Sequence, residues 1–302
     1  MNGRVPDVLA PDRIAVFLFH GVIGQSRHPI RNYTRKHLPY GEFDAILREL
    51  CRRGSPVSMP ELVAAHRCEV VLPAYAFAVT FDDGFENNYS LAAPLLERLG
   101  VPATFYVTTG FIESNGSSWI DMIEYAVEQV TPCELRGLGD GLDGHFETLQ
   151  EKRAFLNAAR HFAKSHPSID PYEFAERIWR QLGVAGMVPD PDIDQKMSWS
   201  QLRELSRHPL FEVGGHGHTH RVLAFLDDDA LEQEIGTSVA LLEGHLGGPR
   251  RQYSYPEGLA HCYSNREIDS LCRHGIVCSP SAVSGTNAAG DDLFHLKRLM
   301  VT

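Results

Sequence analysis

Two short runs carry residue types that do chemistry. The first is Thr80-Phe81-Asp82-Asp83-Gly84, at the end of an apolar, β-rich stretch. Adjacent carboxylates repel unless a cation lies between or beside them. Within a strand, neighbouring side chains point to opposite faces. At a strand terminus that alternation breaks, and both carboxylates can be turned to one place. An Asp-Gly turn with a helix N-cap would use the same letters. The second run is Gly214-Gly215-His216-Gly217-His218-Thr219-His220, again just past a strand-like stretch. Three histidines within five residues is a metal-ligand spacing. His216 and His220 would share one side of a helical turn, whereas His216 and His218 would share one face of an extended chain. A His-rich surface loop is the plainer reading.

The two runs complete each other. One carboxylate and two histidines make a three-ligand set that leaves open positions on a divalent ion, where the pKa of a bound water falls towards about 7. The second carboxylate is then available as general base towards that water. This chemistry uses both members of the Asp82-Asp83 pair.

Such residues need a scaffold that brings them together. The chain alternates β-rich runs with amphipathic ones. Residues 14–19, 76–81 and 103–107 are expected strands, and 211–213, 253–255 and 276–278 shorter ones. Residues 42–53, 87–99, 230–246 and 265–274 have helical patterning, with Gly100 and Gly247 as stops. Ser198 reads as a helix N-cap before Trp199. This order implies βα units with parallel strands, in a barrel or a doubly wound sheet. In either, the site lies at the carboxyl ends of the strands. Residues 117–197 differ: helical patterns joined by Gly and Pro, with four glycines within 137–144. They are read as a helical insertion without a core of its own, within a single domain spanning 1–302.

The 302 residues are 43% apolar and 22% charged, as in ordinary soluble globular proteins. The formal net charge of −11 speaks against nucleic acid as a partner. The six cysteines form no Cys-x-x-Cys pair and match no disulfide framework. No run is long and apolar enough to span a bilayer, and no signal-peptide pattern opens the chain. A reduced, cytoplasmic protein is the expectation.

The Thr80–Gly84 and His216–His220 runs resemble the first and second motifs of the polysaccharide deacetylases, the NodB-homology proteins of carbohydrate esterase family four. The resemblance covers residues 14–110 and 197–301. It implies an α/β fold, a distorted (β/α) barrel that is usually seven-stranded, and metal-dependent removal of acetyl groups from sugars. Carried over by position, Asp82 is the expected general base. Asp83, His216 and His220 are the expected ligands of a divalent ion, zinc above others, and His218 falls between the ligands. The family's third motif places an Arg before a Pro-Tyr or Pro-Trp pair. Here Tyr253-Ser254-Tyr255-Pro256-Glu257-Gly258 carries Ser254 at that place, which is similar to the Tyr-Pro-x-Gly form of the exopolysaccharide branch. Tyr255, Pro256, Glu257 and Arg298 are the expected substrate-side residues, with a backbone N–H near Glu257 facing an oxyanion. Arg298 is also the candidate to supply the missing cation, and would otherwise be a surface residue. Leu293-Phe294-His295 has the letters of the fifth motif without its surroundings. His20, after the first strand, resembles a permuted version of that motif and is expected to protonate the leaving amine.

The implied reaction is hydrolysis of the N-acetyl group of a sugar in the assembly of a surface polysaccharide. For a cytoplasmic enzyme the sugar would be nucleotide- or lipid-linked. Two alternatives use the same residues: hydrolysis of another amide, such as a formyl-sugar or a cyclic ureide or imide, and glycan binding without catalysis. Trp119, Asp121 and Trp199 flank the insertion and are either sugar-stacking or core residues. Arg31, Arg35, Lys36 and His37 form a basic cluster that could meet a phosphate or simply be solvated.

Overall fold

The computed structural model describes residues 8–25, 27–139 and 141–302. In chain order the elements are β1 (Ala15–Phe19), β2 (Gly21–Ile23), β3 (His37–Pro39), α1 (Tyr40–Arg53), β4 (Ser55–Pro56), α2 (Met59–His66) and β5 (Ala76–Phe81). A π-helical turn (Asn88–Ala92) leads into α3 (Ala93–Leu99), followed by β6 (Ala103–Val107), α4 (Thr109–Ser114) and α5 (Trp119–Gln129). Next come β7 (Cys133–Leu135), β8 (Gly144–Phe146), α6 (Leu149–Ser165), α7 (Pro171–Leu182), α8 (Trp199–Arg207) and β9 (Phe211–Gly215). The chain ends with α9 (Asp228–Leu246), α10 (Asn265–Arg273) and β10 (Leu299–Met300). Two compact units result. The first takes the described residues up to 25, then 36–116 and 192–302; the second takes those up to 35 and 117–191.

The first unit is built on a parallel sheet in the order β10-β1-β5-β6-β9, with β4 beside the start of β5. β1, β5 and β6 are buried on both faces, so they read as near-continuous apolar runs and not as alternating ones. The faces still differ. Phe17, Phe19, Val79, Phe81 and Phe105 point into one apolar cluster with Phe43, Leu47 and Leu96 of the covering helices. Val16, Ala76 and Ala78 point the other way, into a cluster with Leu62, Cys278 and Leu296. The register pairs Phe19 with Phe81 and Val107 with Gly215. His20, Asp82 and His216 are therefore each the first residue past a strand end, along one edge of the sheet.

Several expectations are corrected. Among the described residues the sheet is open, with six strands, and does not close into a seven-stranded barrel. The expected strands at 253–255 and 276–278 are reduced to single parallel bridges, Gly215 with Tyr253 and Gln252 with Cys278. Pro256 and Pro280 follow them and lack the N–H that a longer ladder would need. The helix expected over 87–99 is split: Pro94 opens α3, and the wider π-helical turn precedes it. Gly100, at φ +66°, ends α3 as expected. The segment 117–191 does have its own apolar cluster, which includes Trp119, Ile123, Phe155, Leu156 and Ile178. It also holds an antiparallel pair, β7 with β8, too short to leave a pattern in the sequence. All six cysteines are free.

Phe81 is fully buried at the strand end that carries the paired carboxylates, stacked between Phe19 at 5.5 Å and Phe105 at 5.1 Å. Phe81→Ala should cost about 3–5 kcal/mol, the range for a large aromatic removed from a core. Denaturant unfolding checks this, and a loss below about 1 kcal/mol would show that the site does not depend on this stack.

Candidate functional site

Asp82 continues the Thr80 face of β5. It is 3% exposed and meets Arg298, which is 1% exposed, through two parallel bonds: Nη1 to Oδ1 at 2.8 Å and Nη2 to Oδ2 at 2.7 Å. Arg298 Nη2 also donates to Ser254 Oγ at 2.8 Å and its Nε to the Ser281 carbonyl at 2.7 Å. The guanidinium is thus fixed by Ser281 and Ser254 as well as by the carboxylate. Burial pushes the Asp82 pKa up, but Arg298 and then His216 outweigh it, and the carboxyl is held below its ordinary value. Arg298 is buried and not a surface residue. It gives Asp82 its cation, and Ser254 braces it.

Asp83 would point away from Asp82 if the strand continued. It adopts a left-handed backbone, φ +74°, followed by Gly84 at φ +82°. Asp tolerates this conformation better than most residues. The turn brings Asp83 Oδ1 to 3.2 Å from His220 Nε2 and 3.6 Å from His216 Nε2. The three residues are buried, and one ligand atom of each lies within 4.8 Å of the others. His220 also has a left-handed backbone, φ +58°. His216 Nδ1 faces the Ser254 carbonyl at 2.9 Å and must donate to it, so its Nε2 lone pair faces Asp83. Asp83 Oδ1 and His220 Nδ1 are buried without a hydrogen-bond partner. The Nε2 atoms of the two imidazoles converge on Asp83 Oδ1, which no hydrogen bond of good geometry satisfies, an arrangement that fits a divalent cation. Burial raises the Asp83 pKa, but His220 outweighs it and leaves the carboxyl well below its ordinary value. Burial lowers the His220 pKa, yet the Asp83 contact lifts it above the ordinary histidine value.

The loop that carries these histidines is held by residues the sequence reading missed. Glu234, buried on α9, accepts from the backbone N–H of His218 at 2.8 Å, from Thr219 N–H at 2.7 Å and from the Thr219 hydroxyl at 2.8 Å. A Glu at an inward position of α9, between Leu231, Ile235 and Ser238, was the available signal. The Thr108 hydroxyl donates to the His216 carbonyl at 2.9 Å. His218 is half-buried, bonded to the Thr109 hydroxyl at 3.0 Å, and stands outside the three-residue cluster.

His20 comes into this neighbourhood. Burial lowers its pKa, against the pull of Asp83 and then Asp82, its strongest charged neighbours. His295 is exposed and bonded to the Tyr263 hydroxyl at 3.2 Å. Of the third-motif loop, Tyr255 is 0% exposed, its ring stacked on Tyr263 at 3.9 Å and its hydroxyl given to the Phe294 carbonyl. Tyr255 therefore braces the loop. Pro256 is buried beside Gly217, while Glu257 is half-buried with φ +62°, its charge acting on His220. Trp119 lies in the core of the second unit, and Asp121 bonds Ser118 at the start of α5. Trp199 stacks on His245 at 4.1 Å beside the first core, with Ser198 capping its helix. Arg31 is buried over the Tyr125 ring, and His37 is buried too, so the basic run is not one solvated patch.

A family model described as polysaccharide deacetylase matches residues 71–142 and 146–277. Among solved structures, the fold is similar to the Streptococcus pyogenes deacetylase PplD in complex with acetate. That likeness has a TM-score of 0.62 and 16% identity, over 96% of this chain and 93% of that one. IcaB from Ammonifex degensii has a TM-score of 0.60 and 19% identity, over 97% and 94% of the two chains. The BpsB deacetylase domain from Bordetella bronchiseptica has 0.58 and 17%, over 97% of each. These likenesses concern the fold. A local match, 39% identical over 67 residues, joins 20% of this chain to 9% of the thiamine biosynthesis multifunctional protein ThiED of Corynebacterium efficiens.

Arg298→Met should cost about 3–5 kcal/mol, because it leaves the Asp82 charge buried and unpaired. Replacing both partners, Asp82→Leu with Arg298→Met, should recover most of that loss. In the single variant burial is no longer opposed by the guanidinium, so the Asp82 pKa moves up. The deficit should then shrink as pH falls and the carboxyl takes a proton. Urea unfolding across pH checks this; a deficit independent of pH would contradict the pairing.

Proposed function

Because the chain belongs to the polysaccharide deacetylase family and is a hydrolase of carbon–nitrogen bonds other than peptide bonds, we propose that it removes the N-acetyl group of a sugar. The carrying observation is the division of two adjacent carboxylates, one paired to Arg298 and one facing two histidines. We assign Asp83, His216 and His220 as the protein ligands of a divalent ion, zinc being the foremost candidate by ligand type. When bound there, such an ion supplies Lewis-acid polarisation and a water of lowered pKa.

The chain's own residues do the rest. Asp82, kept ionised and fixed in direction by Arg298, takes the proton of the attacking water as its oxygen bonds the acyl carbon. The turn at Glu257 offers a backbone N–H to the oxygen that gains charge. His20 gives a proton to the sugar nitrogen as the carbon–nitrogen bond breaks, so acetate and a free amino sugar leave. Support for an acetyl group comes from the family and from the fold shared with deacetylases. Tyr255-Pro256-Glu257-Gly258 favours the exopolysaccharide branch and a place in surface-polysaccharide assembly. No helix among the described residues is long and apolar enough to cross a membrane.

Acetate release should be measured with free, oligomeric, nucleotide-linked and lipid-linked N-acetyl sugars, with a formyl-sugar and a cyclic ureide in parallel. Release from an N-acetyl sugar, abolished by a chelator and restored by a divalent ion, is the expected result. Ring opening of the ureide without acetate release would overturn the proposal. The pH profile tests His20. A donor must be protonated, and its lowered pKa means the proton is lost as pH rises through a value below that of ordinary histidine. The alkaline limb should therefore lie on the acid side of that value and disappear in His20→Ala.

A further inference from the structure

Asn87 is 5% exposed and takes no part in the chemistry assigned above. Its Oδ1 accepts from the Val22 N–H at 3.2 Å. That N–H can only donate, so the atom facing it is the amide oxygen and the amide nitrogen faces the other way. Nδ2 lies 2.9 Å from the Asp192 carbonyl and 3.2 Å from His37 Nδ1. Since Nδ2 only donates, His37 Nδ1 is an acceptor and its proton belongs on Nε2. One side-chain amide thus joins β2, β3 and the segment at Asp192.

β2 begins one residue after His20. Gly21 pairs with His37, and its N–H donates to the Lys36 carbonyl at 3.2 Å. A Cβ at Gly21 would lie 2.0 Å from His37 Nδ1, so the imidazole rests directly on that backbone. The ring is 1% exposed, and Phe85 closes it from another side at 4.6 Å, edge to face. His20 Nδ1, by contrast, is buried without a hydrogen-bond partner. Because no bond at Nδ1 fixes the ring, its direction depends on the backbone that carries it.

We propose that Asn87 and His37 are positioning residues for His20: the Asn87 amide and the His37 ring hold Gly21 and Val22, and thereby aim the His20 imidazole at the leaving nitrogen. This rests on the reading of His20 as proton donor to that nitrogen. Misplacing a reacting group by about 1 Å can cost about 10²-fold, so a small shift of this backbone is enough to matter.

Leaving-group dependence tests the proposal. An amine must be protonated to leave, whereas 4-nitrophenolate leaves unaided. Metal-loaded wild type, Asn87→Asp, His37→Ala and His20→Ala would be compared on an N-acetylglucosamine oligosaccharide and on 4-nitrophenyl acetate. Asn87→Asp keeps an oxygen for Val22 N–H and removes both donors. Its ratio of amide to ester turnover should fall by about tenfold or more, in the direction of His20→Ala, since donor catalysis contributes about 10²–10⁴-fold. If His20→Ala changes the ratio and Asn87→Asp lowers both reactions alike, Asn87 is merely structural and the proposal fails. If His20→Ala leaves the ratio unchanged, the reading of His20 falls and the proposal with it. Should Asn87→Asp not fold, His37→Ala decides by the same ratio.

Discussion

Asp82 and Asp83 are chain neighbours and both are buried, so their charges repel in a medium that screens them little. The structure resolves this by giving each a separate set of partners. Arg298 grips Asp82 from below the strand end, and two histidine nitrogens converge on Asp83 from the next loop. A buried carboxylate without a partner would be protonated or would unfold the site. The placement of β10, which delivers Arg298 beside β1, and of β9, which delivers His216, follows from this need. The same separation gives the two carboxylates different surroundings: one is paired to a guanidinium, the other faces two imidazole nitrogens.

The turn that separates them is a backbone device. A strand sends successive side chains to opposite faces, and the left-handed residue at Asp83 cancels that alternation. His220 and Glu257 stand in the same conformation around the same place. Such residues are costly, and they persist where surrounding bonds over-determine them. Glu234 does so for the histidine loop, with three bonds to His218 and Thr219. Gly217, at φ +79°, has no room for a Cβ, which would come within 2.8 Å of Glu234 Oε1.

Much of the site was legible in the sequence because its residues are local runs: two carboxylates together, histidines four apart, and His20 just past an apolar strand. The strands β1, β5 and β6 were legible for the same reason, being continuous apolar runs bounded by polar residues. What stayed hidden is held over long sequence separations. Arg298 lies 216 residues from Asp82, and its letters alone read equally as surface or site. Tyr255 carries a motif letter, yet its hydroxyl is claimed by Phe294, which no local pattern reveals. The C-terminal strands shrank to bridges because proline removes donors, a fact visible in the letters but not its extent. The core of 117–191 was hidden by its glycines, which mark joints and say little about the apolar stripes between them.

The central claim is that Asp83 holds the ion and Asp82 does not. Calorimetric titration of zinc into the apo-protein and into Asp82→Asn and Asp83→Ala tests it directly. Asp82→Asn should still bind one equivalent, with an affinity within about tenfold of wild type, since it is nearly isosteric and lies outside the ligand set. Asp83→Ala should lose about 10²-fold or more, because two histidines alone do not complete the set. Equal losses in the two variants, or tight binding retained by Asp83→Ala, would contradict the division of roles.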